Sequence, residues 1–149
     1  MNIDIEGHEY LCYVPPPWAE TGQIPLLWLR ENFLRFAYSQ NHIQECAVPY
    51  DLGDSPNKGG IYFLLAERRV VYVGKSSSVQ ARLIQHRRGG KQFSHYWCFG
   101  GMPELFVEHI EMFYIYYIEP ELNDKYPLVY ENFIEEYISK AKTRELFHV

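Results

Sequence analysis

The sequence predicts an α/β (α+β) fold, in which a small antiparallel sheet packs against helices. Two apolar runs rich in β-branched and aromatic residues, 60–65 and 70–74, flank the polar turn at 67–69, which is typical of an antiparallel hairpin. Apolar residues elsewhere recur at helical spacing. With 149 residues, 47% of them hydrophobic, the chain has about the size and composition of one globular unit.

The N-terminal part of the chain predicts a helix and then a loop. Apolar residues recur at helical spacing over residues 25–46, so we expect one long helix there. The segment 51–60 is rich in Gly, Pro, Asn and Asp and predicts a loop. We therefore divide the chain into an N-terminal extension, residues 1–57, and a second domain, residues 58–149.

The second domain continues after the hairpin with three helices and one more strand. Serines at 76–78 offer an N-cap and two glycines at 89–90 offer an end for the first of these helices, while Pro103 and Pro120 bound the second. The predicted elements are a helix at 79–88, a strand at 93–99, a long helix at 103–119 and a last helix at 126–142.

Composition excludes several classes of protein. No apolar run approaches the roughly 20 residues of a membrane-spanning helix, and the first ten residues lack the basic start of a signal peptide. The three cysteines, Cys12, Cys46 and Cys98, are too widely spaced for a zinc module or a disulfide framework. We expect a soluble, cytoplasmic protein with no membrane partner.

The charge of the chain is unevenly distributed. A net charge of -5 disfavours a nucleic-acid partner, but eight of the 14 Lys and Arg residues lie between positions 58 and 91, opposed there only by Glu67. Such a basic band is typical either of a solvated face or of a phosphate-binding surface. Its members are Lys58, Arg68, Arg69, Lys75, Arg82, Arg87, Arg88 and Lys91.

One group of side chains combines phenols, cations and an imidazole. Tyr62 and Tyr72 stand on the two predicted hairpin strands, each beside a glycine-bearing stretch. Arg82 and His86 share one face of the following helix, and Lys75 stands at the exit of the second strand. Together they could hold a phosphate, lower the pKa of a phenol, or simply face water.

Glu111 is the most informative single residue, because nearly all the residues that follow it in its helix are apolar or aromatic. A buried carboxylate is costly unless it is paired or binds a metal. Glu108, three residues earlier, falls on nearly the same face and is the alternative ligand. In the competing interpretation, Glu111 simply lies on the polar stripe of an otherwise buried helix.

These residues together resemble the GIY-YIG nuclease superfamily. The first motif stands as Gly60-Ile61-Tyr62 and the second as Tyr72-Val73-Gly74. Arg82 follows the second tyrosine at the family's spacing, and Glu111, Pro120 and Asn123 follow in the family's order. The matching elements span residues 60–123, which is under half of the chain, and leave the extension unexplained.

The resemblance implies a GIY-YIG fold, with a three-stranded antiparallel sheet flanked by helices, and an endonuclease that cleaves DNA with Mg²⁺ (or Mn²⁺). It implies that Glu111 binds the metal and that Arg82 holds the scissile phosphate. Tyr62 is expected to be the general base or to position the water, with Tyr72 beside it. Lys75 is the expected neighbour that stabilises a phenolate, and His86 is the alternative proton carrier.

The remaining expectations concern substrate and partners. We expect Arg87, Arg88, Lys91 and Asn123 to contribute to substrate binding, with a more structural role for Asn123. The chain would be a stand-alone member of the phage or restriction type, and the extension would add DNA contacts or a homodimer interface. The alternative function is a catalytically silent DNA-binding or protein-interaction module on the same fold.

Overall fold

A four-stranded antiparallel sheet forms the centre of the computed structural model, which describes residues 8, 9, 11–51, 55–124 and 132–147. The order of the strands across the sheet is β1-β4-β2-β3. The strands are β1 (Val48–Pro49), β2 (Gly60–Ala66), β3 (Arg69–Ser76) and β4 (His95–Phe99). The predicted mixed α/β class is confirmed, but the expected three strands are one too few.

The additional strand is β1, which is too short to leave a signal in the sequence. Val48 pairs with Tyr96 and Pro49 with His95, so β1 adds two residues to the free edge of β4. Proline is tolerated there because an edge strand needs no second row of hydrogen bonds.

Helices cover both faces of the sheet. They are α1 (Trp18–Thr21), α2 (Pro25–Asn32), α3 (Gln40–Cys46), α4 (Val79–Arg88), α5 (Val107–Ile118) and α6 (Asn132–Lys142). A 3₁₀ turn at Glu104–Phe106 precedes α5, where the sequence predicts the start of the long helix. The predicted start of the last helix, at residue 126, lies outside the described residues. None of the helices in the described ranges is long and apolar enough to cross a membrane.

The predicted helix over 25–46 is wrong, because the chain breaks between α2 and α3. A 3₁₀ turn at Phe33–Phe36 is followed by extended backbone, and Ser39 then caps α3 by accepting a hydrogen bond from the His42 amide at 3.1 Å. The Tyr114 hydroxyl accepts from the Tyr38 amide at 2.8 Å and donates to the Phe36 carbonyl. The Tyr114 hydroxyl of α5 therefore bonds backbone groups of this segment that would form hydrogen bonds within a continuous helix.

One face of the sheet carries the larger hydrophobic cluster, which joins the N-terminal extension to the rest of the chain. Trp28, Leu29 and Phe33 of the extension belong to the same buried cluster as Phe113 and Tyr114 of α5. The Phe33 and Phe113 rings meet edge to face, with centroids 5.0 Å apart. The extension thus contributes to the packing of α5, and the division at residue 57 stays a prediction.

The opposite face of the sheet packs on α4. Tyr62 and Leu64 of β2 and Tyr96 of β4 belong to a second buried cluster with Val79 and Leu83 of α4. The candidate site lies on this side of the sheet, where the aromatic residues of the hairpin meet the polar end of α4.

Candidate active site

The register of the hairpin places Tyr62 and Tyr72 on one face of the sheet. Tyr62 pairs with Gly74, and Leu64 pairs with Tyr72, so the two tyrosines are diagonal neighbours across β2 and β3. Their ring centroids are 6.1 Å apart. A bulge between Leu64 and Leu65 leaves Val71 as the extra residue of β3, immediately before Tyr72.

Gly74 makes room for the phenol of Tyr62. A Cβ atom at this position would stand 2.3 Å from both Cζ and the hydroxyl oxygen of Tyr62. No such contact is tolerated, so any side chain at Gly74 would displace the Tyr62 ring. The glycine of the second motif is therefore a steric requirement of the tyrosine in the first.

Helix α4 brings Arg82 and His86 to the tyrosines. The Ser78 hydroxyl caps the helix by accepting from the Ala81 amide, and one turn separates the two functional residues. His86 is buried, with 9% of its surface exposed, and its Nε2 lies 2.7 Å from the Tyr62 hydroxyl. Arg82 is exposed, and its positive charge lowers the pKa of the Tyr62 phenol.

The Tyr72 ring contacts both His86 and Lys91. The centroids of the Tyr72 and His86 rings are 4.7 Å apart in an edge-to-face arrangement. The Lys91 ammonium stands 4.9 Å from the Tyr72 ring centroid. Gly90, with a φ of +87°, turns the chain back after α4, and the Lys91 amide donates to the His86 carbonyl at 3.1 Å.

Burial and neighbouring charges shift the pKa values of the hydrogen-bonded pair in opposite directions. Burial raises the pKa of Tyr62 above its usual value, and Tyr72 adds to this, while Arg82 acts against it. Burial also lowers the pKa of His86 to about 4, helped by the positive charges of Lys91 and Arg82. At neutral pH the imidazole is therefore uncharged, and in the tautomer with its proton on Nδ1 its Nε2 can accept a hydrogen bond from the Tyr62 hydroxyl.

Glu111 of α5 acts electrostatically on the same group of residues. Its side chain is half-buried, and burial raises the pKa of the carboxyl, with Glu108 acting in the same direction. Lys75 and Arg82 oppose this shift, so both cations act on the carboxylate. Glu111 in turn raises the pKa of Tyr62, which links α5 electrostatically to the phenol on β2.

The donor set at Glu111 fits a hard divalent cation that keeps most of its water. No cluster of three or more His, Cys, Asp or Glu side chains that could hold a metal occurs in the described part of the chain. Mg²⁺ does not need such a cage, since it is commonly bound by one or two carboxylates together with waters and substrate phosphates. Glu111, with the exposed Glu108 one helical turn away, matches that requirement.

Tyr13 of the extension also reaches this region, which the sequence did not predict. Its hydroxyl donates to the Ser76 carbonyl at the end of β3, at 2.8 Å. Burial raises the pKa of Tyr13 to about 12, and the carboxylates of Glu104 and Glu111 contribute to the shift. No spacing rule could have found this residue, because it lies 63 positions from its hydrogen-bond partner.

The residues predicted to bind substrate are not equivalent in the structure. The Arg87 guanidinium lies 4.7 Å from the Tyr50 ring centroid and 4.5 Å from that of Phe93, and it donates to the Phe93 carbonyl. Arg88 is exposed beside it. The Asn123 amide both accepts from the Val73 amide and donates to the Val73 carbonyl, each at 2.8 Å. These two hydrogen bonds support the structural role expected for Asn123.

Comparisons of the chain with protein-family models, with curated proteins and with solved structures find no match. The resemblance to the GIY-YIG nucleases therefore rests on the motif residues alone.

Proposed function

We propose that this protein is a metal-dependent endonuclease that hydrolyses phosphodiester bonds in DNA. The supporting observation is that four of the predicted site residues contact the Tyr62 hydroxyl or act on its charge. His86 hydrogen-bonds the hydroxyl, while Arg82, Tyr72 and Glu111 act electrostatically on its ionisation. These are the residue types that activate water, hold a phosphate and bind a hard cation.

Arg82 would hold the scissile phosphate. Its guanidinium is exposed and its Nη1 donates to Gln85 at 3.0 Å, so the helix orients the planar fork while its face remains open to solvent. A guanidinium can bind two phosphate oxygens at once and stabilises the charge that they gain in the transition state.

The Tyr62 and His86 pair would move the proton of the attacking water. Because the pKa of Tyr62 is raised, the phenolate is scarce at neutral pH, and the phenol needs an acceptor for its own proton. His86 Nε2 is that acceptor, at 2.7 Å. Water gives a proton to Tyr62 as Tyr62 gives one to His86, the new P–O bond forms, and the bond to the leaving oxygen breaks. The leaving oxygen then takes a proton from solvent.

Glu111 would hold Mg²⁺ or Mn²⁺, with Glu108 as the second carboxylate. When bound, the metal would stabilise negative charge on the phosphate oxygens and lower the pKa of a coordinated water. Lys75 acts on the Glu111 carboxyl, whose pKa it lowers, and so favours the ionised form that binds cations. The role expected for Lys75 at a phenolate stays a prediction.

Plasmid cleavage tests the proposal. Supercoiled plasmid is incubated at low salt with wild type, Glu111→Gln or Glu135→Gln, each with Mg²⁺ and with EDTA. Glu135 is an exposed residue of α6. Glu135→Gln therefore makes the same change of charge as Glu111→Gln, but outside the candidate site. We expect relaxed or linear plasmid from wild type and Glu135→Gln with Mg²⁺ only, and the product form distinguishes nicking from cleavage of both strands.

Cleavage that persists in EDTA or in Glu111→Gln would contradict the assignment of the metal ligand. If no protein cleaves but all of them shift DNA in a gel, the catalytically silent binding module becomes the better hypothesis.

A further inference from the structure

Lys91 lies against the aromatic part of the site. Its ammonium stands 4.9 Å from the centroid of the Tyr72 ring, within the range of a cation–π contact. The side chain is half-buried, and the turn at Gly90 returns it towards the end of α4. This placement differs from that of Arg88, which is exposed three residues earlier.

The surroundings of His86 contain two cations and two phenols. Tyr62 of β2 binds its Nε2, Tyr72 of β3 packs edge to face on the ring, and Arg82 lies one turn earlier in α4. Lys91 is the second cation, and its ammonium contacts the Tyr72 ring. Glu111 acts on Tyr62 and is not among the charges that shift His86.

We propose that Lys91, packed against the Tyr72 ring that also contacts His86, is a positioning residue that adds to the effect of burial in disfavouring a proton on His86, and so extends to lower pH the range in which Nε2 is open to the Tyr62 proton. This inference rests on the proposed function for its catalytic consequence, but its electrostatic part does not. A phosphate bound near Arg82 would offset the same positive charges, so substrate binding would increase the affinity of His86 for a proton when it has to receive one.

The electrostatic part can be tested without any cleavage. The titration of His86 is followed by NMR in ¹⁵N-histidine-labelled protein, without metal or DNA, and the signal is assigned with His86→Gln. Three variants are compared. Lys91→Met keeps an apolar side chain on Tyr72, and Lys91→Arg keeps the charge. Arg88→Met removes the charge of an exposed residue at the end of α4. Circular dichroism confirms that each variant is folded.

We expect a midpoint of about 4 for His86 in the wild type and the same midpoint in Lys91→Arg. In Lys91→Met the midpoint should rise by about half a pH unit or more, since removal of a nearby like charge favours the protonated imidazole. Arg88→Met should move it clearly less. An unchanged midpoint in Lys91→Met, or an equal shift in Arg88→Met, would overturn the proposal.

The pH dependence of cleavage then separates this inference from the proposed function. In an active nuclease, the acidic limb of the kcat profile should move to higher pH in Lys91→Met and stay in place in Lys91→Arg. A shifted His86 titration without cleavage by any protein would support the electrostatic role and refute the nuclease. If the protein cleaves DNA and the acidic limb of the kcat profile is the same in the wild type and in Lys91→Met, the role of Lys91 is refuted and the nuclease proposal stands.

Discussion

At the scale of single residues, the position of Tyr62 depends on an absent side chain at Gly74. We expect Gly74→Ala to lower the free energy of unfolding by about 2 kcal/mol. The new methyl would overlap the Tyr62 phenol, and the packed residues around the ring could make room only by adopting strained conformations. Urea denaturation measures the effect. The reference variant is Tyr62→Ala, which removes the ring that the methyl would strike.

The two substitutions together form a double-mutant cycle. In the Tyr62→Ala background the same Gly74→Ala change should cost much less than in the wild type, because Cζ and the hydroxyl are the nearest atoms to a Cβ at this position. Additive effects would show that Gly74 acts through its backbone conformation and not through the phenol.

Arg82 offers a second residue-scale prediction, which rests on the proposed function. Arg82→Lys keeps the positive charge but loses the planar fork, so we expect kcat to fall about a hundredfold, with a smaller effect on DNA affinity. Single-turnover cleavage and gel-shift titration measure the two quantities. Arg144→Lys, the same exchange at an exposed position after α6, is the control, and equal losses in both variants would contradict a specific role for Arg82.

The sequence predicted the members of the site more fully than their surroundings. Hairpin register and helical periodicity place Tyr62, Tyr72, Arg82 and His86 relative to one another, since all four lie within one hairpin and the next helix. The electrostatic link to Glu111 needed the motif resemblance as well. The positions of Tyr13 and Lys91 could not be predicted, because a distant strand and a helix-ending turn determine them.

At the scale of elements, the same limit explains the break in the predicted helix over residues 25–46. The apolar spacing is compatible with one helix, and no proline or glycine marks an end between Leu34 and Gln40. The break depends instead on the hydroxyls of Tyr114 and Tyr117 in α5. These hydroxyls form hydrogen bonds with backbone groups of residues 36–40. The spacing of nearby residues cannot predict a hydrogen-bond partner on a helix that is distant in the sequence.

The outer edge of the sheet gives an element-scale prediction. Asn123 pairs with both polar backbone groups of Val73 and so extends the hydrogen bonding of β3. Asn123→Asp keeps an acceptor but loses the N–H donor and places a carboxylate against the Val73 carbonyl. We expect a loss of about 1 kcal/mol in the free energy of unfolding and faster hydrogen exchange at the Val73 amide.

Asn57→Asp is the matched control for this change. The Asn57 side-chain oxygen accepts from the Ser78 hydroxyl at 2.8 Å, and an aspartate retains that acceptor. Its stability should therefore stay close to that of the wild type. Similar losses in the two variants would mean that general charge, and not the Val73 hydrogen bonds, explains the effect.

At the scale of the whole molecule, charge and packing are distributed differently along the chain. The net charge is -5, yet the cations that act on Tyr62, His86 and Glu111 all come from the basic band at residues 58–91. The hydrophobic core, in contrast, combines the extension with α5 and α6. The basic band thus supplies the cations of the candidate site, while α5 contributes both to the core and, through Glu111, to the charges that act on Tyr62.

His86 connects this electrostatic arrangement to the stability of the whole protein. Its pKa is about 4 in the folded state and about 6.5 in an unfolded chain, so the unfolded state binds more protons between these values. Stability therefore falls as the pH drops through this window. Glu111 acts in the opposite direction, because its raised pKa lets the folded state bind the additional proton.

Comparison of the wild type with His86→Gln isolates the histidine from Glu111, which both proteins contain. Between pH 7 and pH 4 the wild type should lose up to about 3 kcal/mol more of its free energy of unfolding than the variant does. Urea denaturation at closely spaced pH values measures the difference, and most of the change should fall between pH 4 and 6.5. Parallel curves for the two proteins would show that His86 keeps an ordinary pKa in the folded state, and His86 would then be partly charged near neutral pH and a poor acceptor for the Tyr62 proton.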